Sequence, residues 1–488
     1  MKDRASVPSS FRDPSGFVFW REGELFRQVN LAYKDDYDQL IGSGLYRELT
    51  TRGLLIPHEE VGGGPAPGEE AYRLIKPELI PFISYPYEWS FSQLKDAALV
   101  TLEIQRRSLD CGLSLKDCSG YNIQFKGGRP LLIDTLSFER YREGQPWVAY
   151  RQFCQHLLAP LALMSYTDIR LSQLLKTHLD GIPLDLASAL LPARTRLVPS
   201  LALHIHLHAK SQRRFATVAE RPRGRRVSLL ALRGLVSSLE GAISRLRWRP
   251  RGTEWADYYR SSRYSSEAME HKKRIVGQFL EILAPRSVWD LGANTGLFSR
   301  LAAERGIPTI AFDLDPAAVE INYLECRKSG QRNLLPLLMD LTNPSPAIGW
   351  GNEERPALLQ RGRADTALAL ALIHHLAISN NLPLSRIAGF LSGLCDSLIL
   401  EFVPKSDAQV QRLLATRDDI FGDYTQQACE AEFGRHFEIR DAIGISGSER
   451  TLYLLLRGCS GAGGSRVLPA IWSGSRPGTG LPQRGSGR

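Results

Sequence analysis

The residues best placed to do chemistry lie in the string WDLGANTGLFS, where Asp290, Gly292, Asn294 and Gly296 close an apolar run at 287–291. Glycines just after an acid let the chain leave a strand sharply and approach a ligand, because no Cβ stands in the way. A helix over 297–304 would begin beside that turn with unpaired N–H groups. More acids follow. Asp313 lies 23 residues after Asp290 at the end of a second apolar run, Asp315 follows in AFDLDP, and Asp340 sits in LLMDL. A carboxylate beyond the second strand accepts ribose hydroxyls in dinucleotide folds. Two phosphate sites are excluded by what the turn lacks. A dinucleotide fingerprint needs Gly at 292, 294 and 297, where this chain has Gly, Asn and Leu. The phosphate-cradling G-x-x-x-x-G-K-S/T string occurs nowhere. A ligand without phosphate fits better.

These residues need a scaffold. Short apolar runs at 287–291, 309–312, 334–339, 365–373 and 397–403 read as buried strands. Between them, Pro316 suits the first turn of a helix reaching Ser329, with Gly330 as its stop. The segments 437–440 and 451–457 form a closing hairpin. Apolar strands alternating with helices imply a parallel sheet covered on both faces. Ligands of such sheets sit beyond the carboxyl ends of the strands. His374 and His375 follow the fourth strand and Glu401 lies in the fifth, near that rim.

The pattern D-x-G-x-N-x-G resembles motif I of the class I S-adenosylmethionine-dependent methyltransferases, with Asn294 where many members have Gly. The resemblance covers residues 287–457. It implies an α/β fold, a Rossmann-like methyltransferase with a seven-stranded, mostly parallel sheet, and S-adenosyl-L-methionine as cofactor. It assigns cofactor binding to Asp290, Gly292, Asn294, Gly296, Asp313, Asp315 and Asp340, the last beside the adenine amino group. Trp255, Tyr258, Tyr259 and Tyr264 would form a lid over the cofactor, or part of an amphipathic helix packed on the sheet. The alternative is a Rossmann-like domain that binds a nucleoside or nothing. Methyl transfer mainly needs alignment of the acceptor with the S–CH₃ bond. A base is needed only for a hydroxyl or a protonated amine. His374, His375 and Glu401 are the catalytic candidates, or else they shape the pocket. An NPPY-type string is absent, which disfavours nucleic-acid bases and glutamine amides as acceptors. A small molecule, glycan or protein remains.

Residues 1–192 mix strand-like and helix-like patterns and are expected to form an α+β domain. Two alternating runs flank Glu22-Gly23 as a hairpin, and 90–110 reads as an amphipathic helix. Asp117 and Asn122 stand five apart, with Asp134 twelve further on. This resembles the catalytic loop and magnesium-binding Asp of protein kinases and aminoglycoside phosphotransferases, in which the first Asp orients the acceptor hydroxyl. The departures are Leu115-Lys116 before the first Asp, Thr135-Leu136 after the last, no Gly-rich loop and no obvious phosphate-pairing Lys. An active kinase, a degenerate kinase-like module and an unrelated α+β domain all stay open.

The chain has 488 residues, enough for two domains. Its net charge of +9 is concentrated: residues 191–251 hold fourteen Lys or Arg against Glu220 and Glu240, so the remainder is slightly acidic. The Arg-rich stretch 193–254 reads as a linker. A clustered basic stretch attracts nucleic acid, phosphates or an anionic membrane surface; solvated linker is the simpler reading. The methyltransferase domain then spans 255–457, and 458–488, rich in Gly, Ser, Pro and Arg, is expected to be disordered. His204, His206 and His208 in HIHLH would share one face of a strand, as metal ligands do, but no Cys or carboxylate completes a set nearby, so no metal is expected. Seven cysteines without a CxxC pair suit a reducing compartment. No signal-peptide core and no apolar run of membrane-spanning length is found, so a cytoplasmic protein is expected. With EFVPKSDAQVQRLL and HHLAISNNLPL, the whole chain is similar to the NoeA-type nodulation proteins. That implies host-specific signalling or cell-surface modification without naming the acceptor.

Overall fold

The structure is a computed structural model that describes residues 4–62, 71–210, 226–250, 266–415 and 417–458. The aromatic lid candidates Trp255, Tyr258, Tyr259 and Tyr264 lie outside these, as does nearly all of the 458–488 tail.

The second half is built on seven strands: β10 (Val288–Leu291), β11 (Thr309–Asp313), β12 (Leu334–Leu338), β13 (Ala364–Ala369), β14 (Cys395–Phe402), β15 (Phe437–Gly444) and β16 (Thr451–Arg457). Their order across the sheet is β12-β11-β10-β13-β14-β16-β15. The first five are parallel, and β16 inserts antiparallel between β14 and β15. This is the mostly parallel, Rossmann-like sheet that the apolar runs predict. β10 is buried at every position, and all its residues but Asp290 are apolar. From β10 the chain steps outward to β11 and β12, then returns to the other side of β10 as β13. That reversal opens a crevice at the carboxyl ends of β10 and β13.

In the first half, β1 (Arg4–Ser6), β2 (Gly16–Arg21), β3 (Glu24–Asn30), β4 (His58–Glu60) and β5 (Ala71–Pro77) form an antiparallel sheet of order β1-β2-β3-β5-β4. The predicted turn at Glu22-Gly23 joins β2 to β3, both residues having positive φ as such a tight hairpin requires. Helix α1 (Phe91–Asp110) starts at a Ser90/Gln93 capping box. Four short strands follow: β6 (Leu113–Leu115), β7 (Ile123–Lys126), β8 (Arg129–Leu132) and β9 (Phe138–Arg140), paired β6 with β9 and β7 with β8.

The two halves do not stand apart. The largest buried cluster runs from Leu40 to Leu455 through both. Phe82 meets the rings of Trp289 and Phe312 edge-on at 5.4 and 5.9 Å. Gln93 of α1 donates to the Pro336 carbonyl of β12, covering the sheet's outer strand. Glu88 and Arg361, both almost wholly buried, pair at 2.6 Å, and Ser345 donates to the same carboxylate. The stretch read as a linker is mostly helical where it is described. Helix α2 (Leu229–Arg245) buries Leu232, Val236, Leu239, Ala242 and Ile243 and packs along α1. The arginine count hid this apolar stripe, because within the helix Arg233 and Arg245 stand at exposed positions off it. HIHLH is likewise not a strand but a wide helical turn, Ala202–Leu207. His204 shares hydrogen bonds with Tyr150 and Ser238, and His206 with Ser188 and Thr195. The two imidazoles therefore tether different neighbours and share no face.

Breaking a buried ion pair by removing one partner typically costs about 3–5 kcal/mol, because a charge is left without compensation. Arg361→Ala is expected to lower stability by about that amount. Urea unfolding followed by circular dichroism should show the whole chain melting in one transition that shifts with the substitution. Two separated transitions, neither shifted, would contradict the shared core.

Candidate functional site

A cavity of about 250 Å³ lies at the reversal point of the sheet. Its walls come from the ends of four strands: Asp290 to Asn294 after β10, Asp313 and Leu314 after β11, Met339 to Thr342 after β12, and Leu370 to Leu372 with His375 after β13. Met269 and Lys272 of helix α3 (Ser266–Leu283), Phe298 of helix α4 (Leu297–Ala303), and Arg450 close it. Asp290, Gly292, Asn294, Asp313, Asp340 and His375, separated by up to 85 positions in sequence, are thus brought together.

The glycine turn is held by its own hydrogen bonds. The amides of Gly292 and Ala293 both donate to the Phe312 carbonyl at 2.9 Å. The Asn294 amide donates to Asp313 Oδ2 at 2.7 Å, Thr295 to the Asn294 side chain, and Gly296 to the Ala293 carbonyl. From Gly292 to Gly296 each N–H of the turn already has an acceptor. The turn offers a ligand shape and carboxylates rather than an anion cradle. A Cβ at Gly292 would stand 3.2 Å from Leu372, and φ there is +79°. Asn294 also has positive φ, a conformation that Asn tolerates better than most residues. Gly296 does not line the cavity. It caps α4 with φ +82°, and a Cβ there would lie 2.3 Å from the Asn322 side chain of helix α5 (Pro316–Ser329). Its glycine serves close packing of turn against helix.

The acids divide their work. Asp313 accepts from two main-chain amides, Asn294 and Asp315 at 2.7 and 2.8 Å, so it ties the end of β11 to the turn after β10. Burial pushes its carboxyl up to about 6, more than those N–H groups offset. Asp290 accepts from Ser299 at 2.6 Å, and burial lifts it to about 6 as well. Asp340 accepts from the Thr342 amide and hydroxyl at the cavity wall. Asp315, by contrast, caps α5, accepting from Ala317 at 2.8 Å, and is absent from the cavity lining.

The three catalytic candidates also separate. His375 faces the cavity, and burial together with Arg450 brings its pKa down to about 4, so it is neutral at physiological pH. His374 is completely buried behind it, ring centroids 4.0 Å apart, with neither nitrogen hydrogen-bonded among the described residues. Burial and the neighbouring His375, Arg450 and Lys272 hold it neutral. Glu401 is not placed as a base. Fully buried and outside the cavity lining, it pairs with Lys272 at 2.5 Å and Arg450 at 3.1 Å. Burial would raise its pKa, and the two cations together hold it below the usual carboxylate range. Arg450 further binds Asp407. Lys272 and Arg450 line the cavity and are not among the residues the sequence singled out. Lys272 had a signal: it sits in line with Ala268, Ile275, Val276 and Phe279 on the apolar stripe of α3. Arg450, in a loop, had none.

In the first half, Asp117, Asn122 and Asp134 fall on loops around the β7–β8 hairpin, after β6 and after β8. Asp134 is already engaged: Arg27 of β3 meets it at 2.6 Å, and Leu136 N and Ser137 Oγ donate to it. Asp117 accepts from Ser119 N, and burial raises its pKa. Among the described residues, no group of three His, Cys, Asp or Glu side chains is arranged to hold a metal ion.

The reversed sheet and the cavity at its carboxyl edge define a Rossmann-like α/β protein with a cavity at the switch point. No family model matches the chain. It is 37% identical over 465 residues to nodulation protein NoeA of Rhizobium meliloti (strain 1021), covering 92% of this chain and 96% of that one. The chain belongs to the NoeA family of nodulation proteins. Among solved structures, it is similar to the bifunctional kinase-methyltransferase WbdD at 15% identity, over 44% of this chain and 45% of that one, with a TM-score of 0.29. It is also similar to magnesium protoporphyrin IX methyltransferase (ChlM) from Synechocystis PCC 6803 with bound SAH, at 17% identity, over 42% and 93%, with a TM-score of 0.30.

Glu401→Ala separates a brace from a base. As a brace, its loss leaves two buried cations and is expected to lower stability by about 3–5 kcal/mol. Thermal unfolding measures this. A variant as stable as the wild-type chain would restore Glu401 as a candidate base.

Proposed function

We propose that this chain is an S-adenosylmethionine-dependent methyltransferase whose cofactor binds in the cavity at the ends of β10 to β13. The observation that carries the reading is a glycine turn with its amides internally satisfied, set beside three carboxylates, Asp290, Asp313 and Asp340, on one cavity wall. Such a wall suits a cationic, hydroxylated adenosyl ligand and repels phosphate. S-adenosylmethionine supplies a methyl group activated on a sulfonium. Asp290 would take the cationic amino acid end. Each Asp313 oxygen takes one main-chain N–H and keeps a lone pair, so the carboxylate retains capacity for the ribose hydroxyls. Asp340 would accept from the adenine amino group, with Leu314, Met339 and Leu341 as apolar walls for the ring.

His375 is the one histidine of the pair that lines the cavity, and in its neutral form it would receive the proton of a hydroxyl or ammonium acceptor. His374 fixes its ring from behind. The acceptor is a small molecule, glycan or protein, and membership of a nodulation family favours a signalling or cell-surface molecule. A kinase activity of the first half is the weaker reading, because the Arg27 guanidinium stands where a metal ion would meet Asp134.

Calorimetry tests the proposal. The chain is expected to bind S-adenosylmethionine and S-adenosylhomocysteine and not ATP. Asp313→Ala should weaken adenosyl binding roughly ten- to hundredfold, the worth of hydrogen bonds to a charged group, whereas Asp134→Ala should leave it alone. The pH dependence has a definite sign. Asp290 and Asp313 ionise at about 6. The charged acceptors are present above that pH and lost below it, so affinity should fall as pH drops through 6. ATP binding in place of the adenosyl ligands, or Asp313→Ala with unchanged affinity, would overturn the assignment.

A further inference from the structure

We propose that the face carrying Leu203 and Leu207 docks on the surface of an anionic lipid bilayer. Both side chains belong to the wide turn Ala202–Leu207 and are about half exposed, at 51% and 54%. They point outward because the residues between them are committed inward. Ile205 is fully buried. His204 is tethered to Tyr150 and Ser238, and His206 to Ser188 and Thr195. The same bonds gather further exposed leucines. Thr195 brings Leu197, 85% exposed, to the side of His206, and Ser188 does so for Leu190. Large apolar side chains grouped on a surface mark an interaction site rather than a solvated linker.

The charges around this face say which partner it fits. Arg196 and Lys210 both stand close enough to His206 to disfavour its protonation, and Arg151 acts in the same way on His208. All three basic side chains are exposed. Leucines framed by cations match the boundary between acyl chains and anionic headgroups, where apolar side chains enter and Lys or Arg meet phosphates. Single-stranded nucleic acid would meet the cations, but its usual stacking platform is aromatic, and the exposed apolar side chains of this face are leucines. No helix among the described residues is long and apolar enough to cross a membrane, so the contact is with the bilayer surface.

The test is co-sedimentation of the full chain with vesicles of phosphatidylcholine alone and of phosphatidylcholine mixed with phosphatidylglycerol. Binding is expected only to the anionic vesicles, and it should weaken as salt is raised. The pair Leu203→Glu with Leu207→Glu, and separately Arg196→Glu with Lys210→Glu, should each reduce the bound fraction about tenfold. Leu197→Glu, at a site too exposed to disturb folding, should act in the same direction, and unchanged thermal unfolding controls for the rest. Absence of wild-type binding to anionic vesicles would overturn the proposal. So would equal binding by folded variants, or binding of a labelled RNA without binding to vesicles.

Discussion

One carboxylate holds the site together. Asp313 ends β11 and accepts the amides of Asn294, in the turn after β10, and of Asp315, at the cap of α5. With Phe312 taking the two preceding amides, the second strand fastens the first strand's turn in place. This makes the turn rigid before any ligand arrives, and it commits the turn's own amides internally. On the proposed reading, the site is preorganised for a ligand met by side-chain carboxylates and by shape. Burial keeps those carboxylates close to the point of protonation, so their charge is available near neutral pH and fades just below it.

A second constraint lies beneath the cavity. Glu401 on β14 binds Lys272 from α3 and Arg450 from the loop before β16, joining three elements in one buried ionic cluster. Lys272 also lies 4.6 Å above the Phe298 ring of α4. Helix α3 is thereby locked across the mouth of the sheet, where its Met269 and Lys272 complete the cavity wall. The first half contributes from the far edge. Through Gln93, Ser92 and Glu88 it grips β12, α5 and the 345–361 segment, so the half with the parallel sheet is not an independent unit.

The parallel sheet was legible because its strands are short, buried and apolar, and its helices carry explicit start and stop residues such as Pro316 and Gly330. The acids at strand ends were legible for the same reason: a charge that terminates an apolar run has a fixed place in the fold. Tertiary partners were not. Asp315 did carry a local mark, since an Asp directly before a helix-opening Pro is an N-cap, and this separates it from Asp313, which faces the cavity. Glu401 read as a base because a carboxylate in a strand looks catalytic until its two cations are seen. Gly296 read as ligand-binding, though Asn322 dictates it from 26 positions away. The basic stretch misled most, since composition masked an amphipathic helix packed on α1.

The most direct measurement is a crystal structure of the chain grown with S-adenosylhomocysteine. The account predicts the adenosyl group between β11 and β12, with its ribose hydroxyls on Asp313 and the turn from Gly292 to Gly296 unmoved. A ligand bound elsewhere, or a turn that has rearranged to present its amides, would contradict it.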